Sequence, residues 1–110
     1  MRKFHRTQGR KRSFLKILAH NLIMKDKIET TEARAKELRP IVERLVTIAK
    51  KQTLASFRLL LSKVSKDSAE KLYYEIAPRY KDRKGGYLRI LKTSKQRMRD
   101  AAKMSIIEFI

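Results

Sequence analysis

Arg2, Lys3, Arg6, Arg10, Lys11 and Arg12 stand within a stretch that holds no carboxylate, and the one-signed run continues through Lys16 to Lys25. Side chains of this type at this density neutralise phosphates. Each cation that meets a phosphate releases condensed counterions, and arginine adds paired hydrogen bonds and stacking on bases. His5 lies in the same run and suits stacking on an unpaired base. A second candidate patch is Tyr80, Arg83, Lys84, Tyr87 and Arg89, in which rings alternate with cations around Gly85-Gly86, so that backbone and polyanion could approach closely. Arg97 and Arg99, followed by Lys103, make a third basic group.

The whole chain carries 29 Lys and Arg against 11 Asp and Glu, a formal charge of +18 on 110 residues. The excess is uneven. Residues 1–25 hold eight basic and no acidic side chains, 26–78 hold eleven and eight, and 79–103 hold ten and two. An ordinary middle therefore presents two basic outer blocks, which need a partner of opposite charge. Paired RNA hides its bases in a narrow major groove, so a protein meets its phosphates, 2′-hydroxyls, shape and unstacked bases, and long cationic side chains fit that task. A basic nucleoid or DNA-binding module is the alternative. It would be expected to expose a helix able to touch base edges, whereas the most cationic stretch here reads as a tail.

Other chemistries find no residues to perform them. There is no phosphate-binding glycine motif with lysine, no His-Glu-x-x-His and no Gly-x-Ser-x-Gly. Cysteine is absent and the two histidines are far apart, which excludes thiolate sites and zinc. The expectation is a protein that is not an enzyme, with no cofactor, no metal and no small-molecule substrate. No apolar run approaches the roughly 18 to 20 residues of a membrane span, so no membrane partner is expected. An arginine-rich, acid-free N-terminus also describes a transit peptide, but such peptides are rich in serine and this stretch has only Ser13.

The elements that must carry these cations follow from apolar spacing. Ser13 is placed to cap a helix to about residue 25 bearing Leu15, Leu18, Ala19, Leu22 and Ile23. Lys27 to Thr31 alternates and is β-branched, hence a short strand, and Thr30 or Thr31 can cap the next helix. That helix shows Ala35, Leu38, Ile41, Val42, Leu45, Ile48 and Ala49 on one stripe, with a kink expected at Pro40. A third helix follows Thr53, and a fourth starts at an Asp67/Glu70 capping pair and ends before Pro78. A loop to Gly86, a strand from Tyr87 to Thr93, a basic loop from Ser94 to Ala102 and a buried strand from Met104 to Ile110 complete the chain. The fold expected is α+β: helix, strand, three helices and two strands, with the helices on one side of a small three-stranded sheet. Residues 1–12 would form a basic RNA-binding tail on a single domain of residues 13–110.

Four segments resemble a known family. Lys27-Ile28-Glu29-Thr30-Thr31-Glu32-Ala33-Arg34-Ala35-Lys36-Glu37-Leu38-Arg39, then Glu75-Ile76-Ala77-Pro78-Arg79-Tyr80, then Arg83-Lys84-Gly85-Gly86-Tyr87-Leu88-Arg89-Ile90, and Asp100-Ala101-Ala102 before Met104–Ile110 resemble the bacterial large-subunit ribosomal protein family numbered seventeen. The resemblance runs in order from about Arg6 to Ile110. It departs from the family at Lys16-Ile17, in place of an Arg-Asn pair, and at Arg99, in place of a glycine. It implies a cytoplasmic structural protein that binds large-subunit ribosomal RNA near the mouth of the peptide exit tunnel, beside neighbouring large-subunit ribosomal proteins. An organellar ribosome would carry the same implication.

Overall fold

The structure is a computed structural model that describes residues 8–96 and 103–110, with side chains described over 13–93 and 103–110. The chain order is α1 (Gln8–Lys25), β1 (Lys27–Thr31), α2 (Glu32–Lys50), α3 (Leu54–Lys63), α4 (Lys66–Lys71), β2 (Leu88–Gln96) and β3 (Lys103–Phe109). α4 continues through a π turn, Leu72–Ile76, into a last α turn, Ala77–Arg79. The strands form one antiparallel sheet in the order β1-β3-β2. This is the expected α+β architecture, and its near-continuous apolar strand is the central one.

Alternation in the sheet decides what faces the helices. Ile107 of β3 lies between Ile28 of β1 and Ile90 of β2, with Ser105 beside it on the same face, and both Ile107 and Ser105 are fully buried. α2 is the spine of the other layer: Ala35, Leu38, Val42, Leu45, Val46 and Ala49 are buried. They pack with Leu22 and Ile23 of α1, Leu60 of α3 and Leu72 and Ile76 of the fourth helix in one continuous core. Non-directional burial of this apolar area is the main force holding the two layers together.

Local chemistry explains most boundaries. Thr31 accepts from the Arg34 amide and starts α2. Thr53 accepts from the Ser56 amide while Ser56 Oγ accepts from the Thr53 amide, a reciprocal cap that satisfies donors no helix can pair. α2 continues past Pro40, which is exposed, so solvent can take the bond that the ring denies to the Lys36 carbonyl. Just past the Lys51 cap of α2, Gln52 adopts φ 54 where glycine is usual. Its side-chain amide holds the turn by donating to the carbonyls of Ala49 at 2.7 Å and Tyr73 at 2.9 Å.

Four expectations need correction. α1 starts at Gln8, not behind Ser13, so part of the supposed tail is helical. Ser65 caps α4 by accepting from the Ser68 amide, and Asp67 sits in the first turn instead of acting as the cap. The fourth helix does not stop before Pro78: the π turn widens the coil just upstream, and Pro78 falls in the first positions of a new turn, where its missing N–H costs nothing. β2 runs to Gln96, paired with Lys103 across an irregularity after Lys92, so residues 94–96 are strand and not loop.

His20 bridges α1 to the start of α4: its Nδ1 lies 2.5 Å from Ser68 Oγ and 3.0 Å from Ser65 Oγ. Ser105 is the opposite case. Its hydroxyl is buried at the sheet–helix interface with no hydrogen-bond partner among the described residues. Desolvating an unpaired hydroxyl is costly, so Ser105→Ala is expected to raise stability by roughly 1 kcal/mol. A fall in the thermal midpoint would show that the hydroxyl has a partner.

Candidate nucleic-acid interface

The second basic patch is built on a tightly tied loop. Tyr80 closes the fourth helix, its ring buried and its hydroxyl donating to the Ile110 carbonyl at 2.6 Å. Tyr87 opens the path into β2 and is also buried, 5.3 Å from the Tyr80 ring. The Arg83 amide donates to the Tyr80 carbonyl at 3.0 Å, and the Ile110 amide donates to the Tyr87 carbonyl at 2.9 Å. From beneath, Lys50 at the end of α2 donates through Nζ to the Tyr87 hydroxyl at 3.0 Å and to the Arg83 carbonyl. Gly86 takes φ +63, a conformation that side chains resist, and lets the chain turn back to the sheet. The result is an ordered loop whose tip shows Lys81, Arg83 and Lys84 to solvent.

The two tyrosines therefore do not stack on bases as the alternation of rings and cations suggested. Their rings fill the space between the loop and the sheet, and their hydroxyls hold backbone. Burial pushes the Tyr80 phenol above its ordinary value. Burial also acts upward on Tyr87, but hydrogen bonds with Lys50 and Thr47 and the charge on Lys50 outweigh it and leave that phenol lowered. Ultraviolet titration of the Tyr80→Phe and Tyr87→Phe variants should show Tyr87 ionising first. The reverse order would break the Lys50 contact.

Arg83 bends back through Nε to the Gly85 carbonyl at 3.2 Å, and Lys84 is exposed. Arg89 is exposed on β2, but its Nε meets Glu108 Oε1 at 2.6 Å across the sheet. Glu108 is also the register partner of Lys27 on β1, so an alternating row Lys27, Glu108, Arg89 crosses the open face. This pair escaped the sequence because its members meet only through the strand register. Lys50 escaped it too, since nothing in a helical stripe indicates that its amine points at a distant loop.

At the other end of α2, Arg34, Lys36, Lys92 and Lys103 come together. The Arg34 guanidinium lies 4.7 Å from the Phe14 ring, placing α1 against the start of α2. Glu32 pairs with Lys36 at 3.0 Å and with Lys92 of β2 at 3.7 Å. The Lys36 hydrogen bond, with the charges of Lys36, Lys92 and Lys103, holds the Glu32 carboxyl below its ordinary value against some desolvation. Thus α1 and the far end of the β2–β3 hairpin converge on one end of α2, while the Arg83–Lys84 loop sits at the other. A helix of this length separates the two by about 27 Å at 1.5 Å per residue.

Of the other predicted contacts, Lys16 is exposed on α1. Arg10, Lys11 and Arg12 fall within α1. Arg2, Lys3, His5, Arg6, Arg97 and Arg99 lie outside the described residues. Among the described residues no cluster of His, Asp or Glu is arranged to hold a metal ion, and no helix is long and apolar enough to cross a membrane.

The sequence model of the family described as ribosomal protein L17 matches residues 14–110. The large ribosomal subunit protein bL17 of Persephonella marina is 50% identical over 109 residues, covering 97% of this chain and 88% of the relative. That of Staphylococcus carnosus is 46% identical over 121 residues, covering 99% and 98%. That of Hydrogenobaculum sp. is 45% identical over 108 residues, covering 97% and 92%.

Proposed function

The chain belongs to the ribosomal protein L17 family, whose members are structural components and not enzymes, and from that premise we propose that it binds and stabilises large-subunit ribosomal RNA near the peptide exit tunnel. The observation that carries this reading is the placement of the basic residues. Among the described residues, Arg34, Lys36, Lys92 and Lys103 gather near the start of α2 and Lys81, Arg83 and Lys84 near its end, which supports one molecule tying together two phosphate surfaces about 27 Å apart. At the loop end, Arg83 and Lys84 project from backbone already fixed by Lys50, Tyr80 and Tyr87, so little ordering is needed when RNA arrives. The N-terminal cations Arg2, Lys3, Arg6, Arg10, Lys11 and Arg12, with Lys16, add sequence-independent attraction to the phosphates. Arg89 contributes through the field it shares with Glu108, not as a free cation. In a bacterium the site of action is the cytoplasmic ribosome.

The test compares assembly with folding. The Arg83→Ala/Lys84→Ala variant should melt like the parent, because both side chains are exposed, while its retention on large subunits after a high-salt wash falls. Full retention would remove the loop from the RNA interface. Failure of the parent protein itself to sediment with large subunits would overturn the ribosomal reading as a whole.

A further inference from the structure

One surface of this cationic protein has the opposite character. Asp67, Glu70, Tyr74 and Glu75 recur at helical spacing on the outer side of the fourth helix and, with Met24 of α1 and Lys71, line a shallow groove. Tyr74 is 66% exposed and Met24 41% exposed, unusually open for residues of their size. The Tyr74 ring continues into an aromatic ridge: it stands 4.9 Å from Tyr73 and 6.0 Å from Phe57 of α3. Leu54 and Leu61, which share the α3 face with Phe57, are exposed by 63% and 40%. Exposed apolar side chains concentrated in this way, around a ridge of touching rings, mark a place where another molecule sits.

Its charge says which kind. Asp67, Glu70 and Glu75 form no ion pair among the described residues. Lys71, the one lysine among the described residues lining the groove, is spoken for: its Nζ donates to the Met24 carbonyl at 2.8 Å and lies 3.6 Å from Asp26. Phosphate would be repelled here, and the carboxylates are not grouped to share a metal that might bridge to it. Rings bordered by unpaired carboxylates instead suit lysine and arginine side chains, which can stack on the ring face while their charge meets an acid.

We propose that the Tyr74 groove docks a Lys/Arg-rich polypeptide segment of a neighbouring protein, and that the molecule therefore has an RNA-facing side and a separate protein-facing side. The inference uses the ribosomal reading only to say where the neighbour is found.

The experiment replaces Tyr74 with p-benzoylphenylalanine in the full chain, incorporates it into large subunits and irradiates the purified particles. The expected adduct is to a protein peptide with more Lys and Arg than Asp and Glu. Adding Glu70→Lys and Glu75→Lys should lower its yield about tenfold, the size expected for reversing two complementary charges at a rim. Adducts to ribosomal RNA or to an acidic peptide, an unchanged yield after charge reversal, or no adduct from incorporated protein would overturn the proposal. A second measurement covers a charge-reversed chain that does not assemble. Anisotropy of a labelled peptide alternating Lys and Arg with Leu and Phe should report binding to the folded free protein that Tyr74→Ala weakens severalfold, and equal binding by the two proteins would also overturn it. Failure of the parent chain to enter subunits would instead count against the ribosomal reading.

Discussion

Replacing Leu45 with Ala is expected to destabilise the fold by about 2 to 5 kcal/mol, and Ile107→Ala by a similar amount. Leu45 lies on the buried stripe of α2, and Ile107 is the fully buried centre of the sheet between Ile28 and Ile90. Each truncation removes apolar contact and leaves a void that both layers border, so neither layer can collapse into it without moving the other. Against the ordinary 5 to 15 kcal/mol stability of a single domain, such a loss is a large fraction of the whole. Denaturant midpoints for the two variants are the measurement. A variant that melts like the parent would mean that its side chain is not in the core.

The second large effect is on RNA affinity as salt changes. Exchanging Arg2, Lys3, Arg6, Arg10, Lys11 and Arg12 together for Gln keeps helix-compatible residues in the part of α1 that begins at Gln8 while removing six charges. If each cation meets a phosphate, the slope of log affinity against log salt should become less negative by about 4 to 5, at roughly 0.7 to 0.9 per contact. Filter binding of a ribosomal RNA fragment over a salt series would read this directly. An unchanged slope would leave the N-terminal block outside the interface. Substitution is preferable to deletion, because cutting through residue 12 would also remove the first turn of α1.

Much of the scaffold was legible because short-range signals agreed with one another. β1 occupies Lys27–Thr31 as read, and α2 and α3 start behind Thr31 and Thr53, where a hydroxyl cap precedes an apolar stripe. Boundaries failed where such signals were missing or pointed the wrong way. Gln8 to Arg12 has no apolar stripe, and without one the first turns of α1 were not read as helix. Pro78 is a stop signal that a single widened turn defeats. At the candidate interface the cations of the 80–87 loop were legible from composition, and the structure leaves Arg83 and Lys84 exposed. The tyrosines between them were not. A ring among cations suits both a stacking platform and a plug over a core, and only the return of the chain onto Ile110 and Lys50 decides for the plug.

The strand order also sets a timetable. β1 and β2 each find their hydrogen-bonding neighbour in β3, and the pairing of Ile28 with Ile107 reaches across most of the chain. During synthesis the helices can form as they emerge, but the sheet has no middle until the chain has been made through Phe109. Until then β1 waits as a lone strand with both edges open, and that interval is when the young protein is most exposed to pairing with the wrong chain.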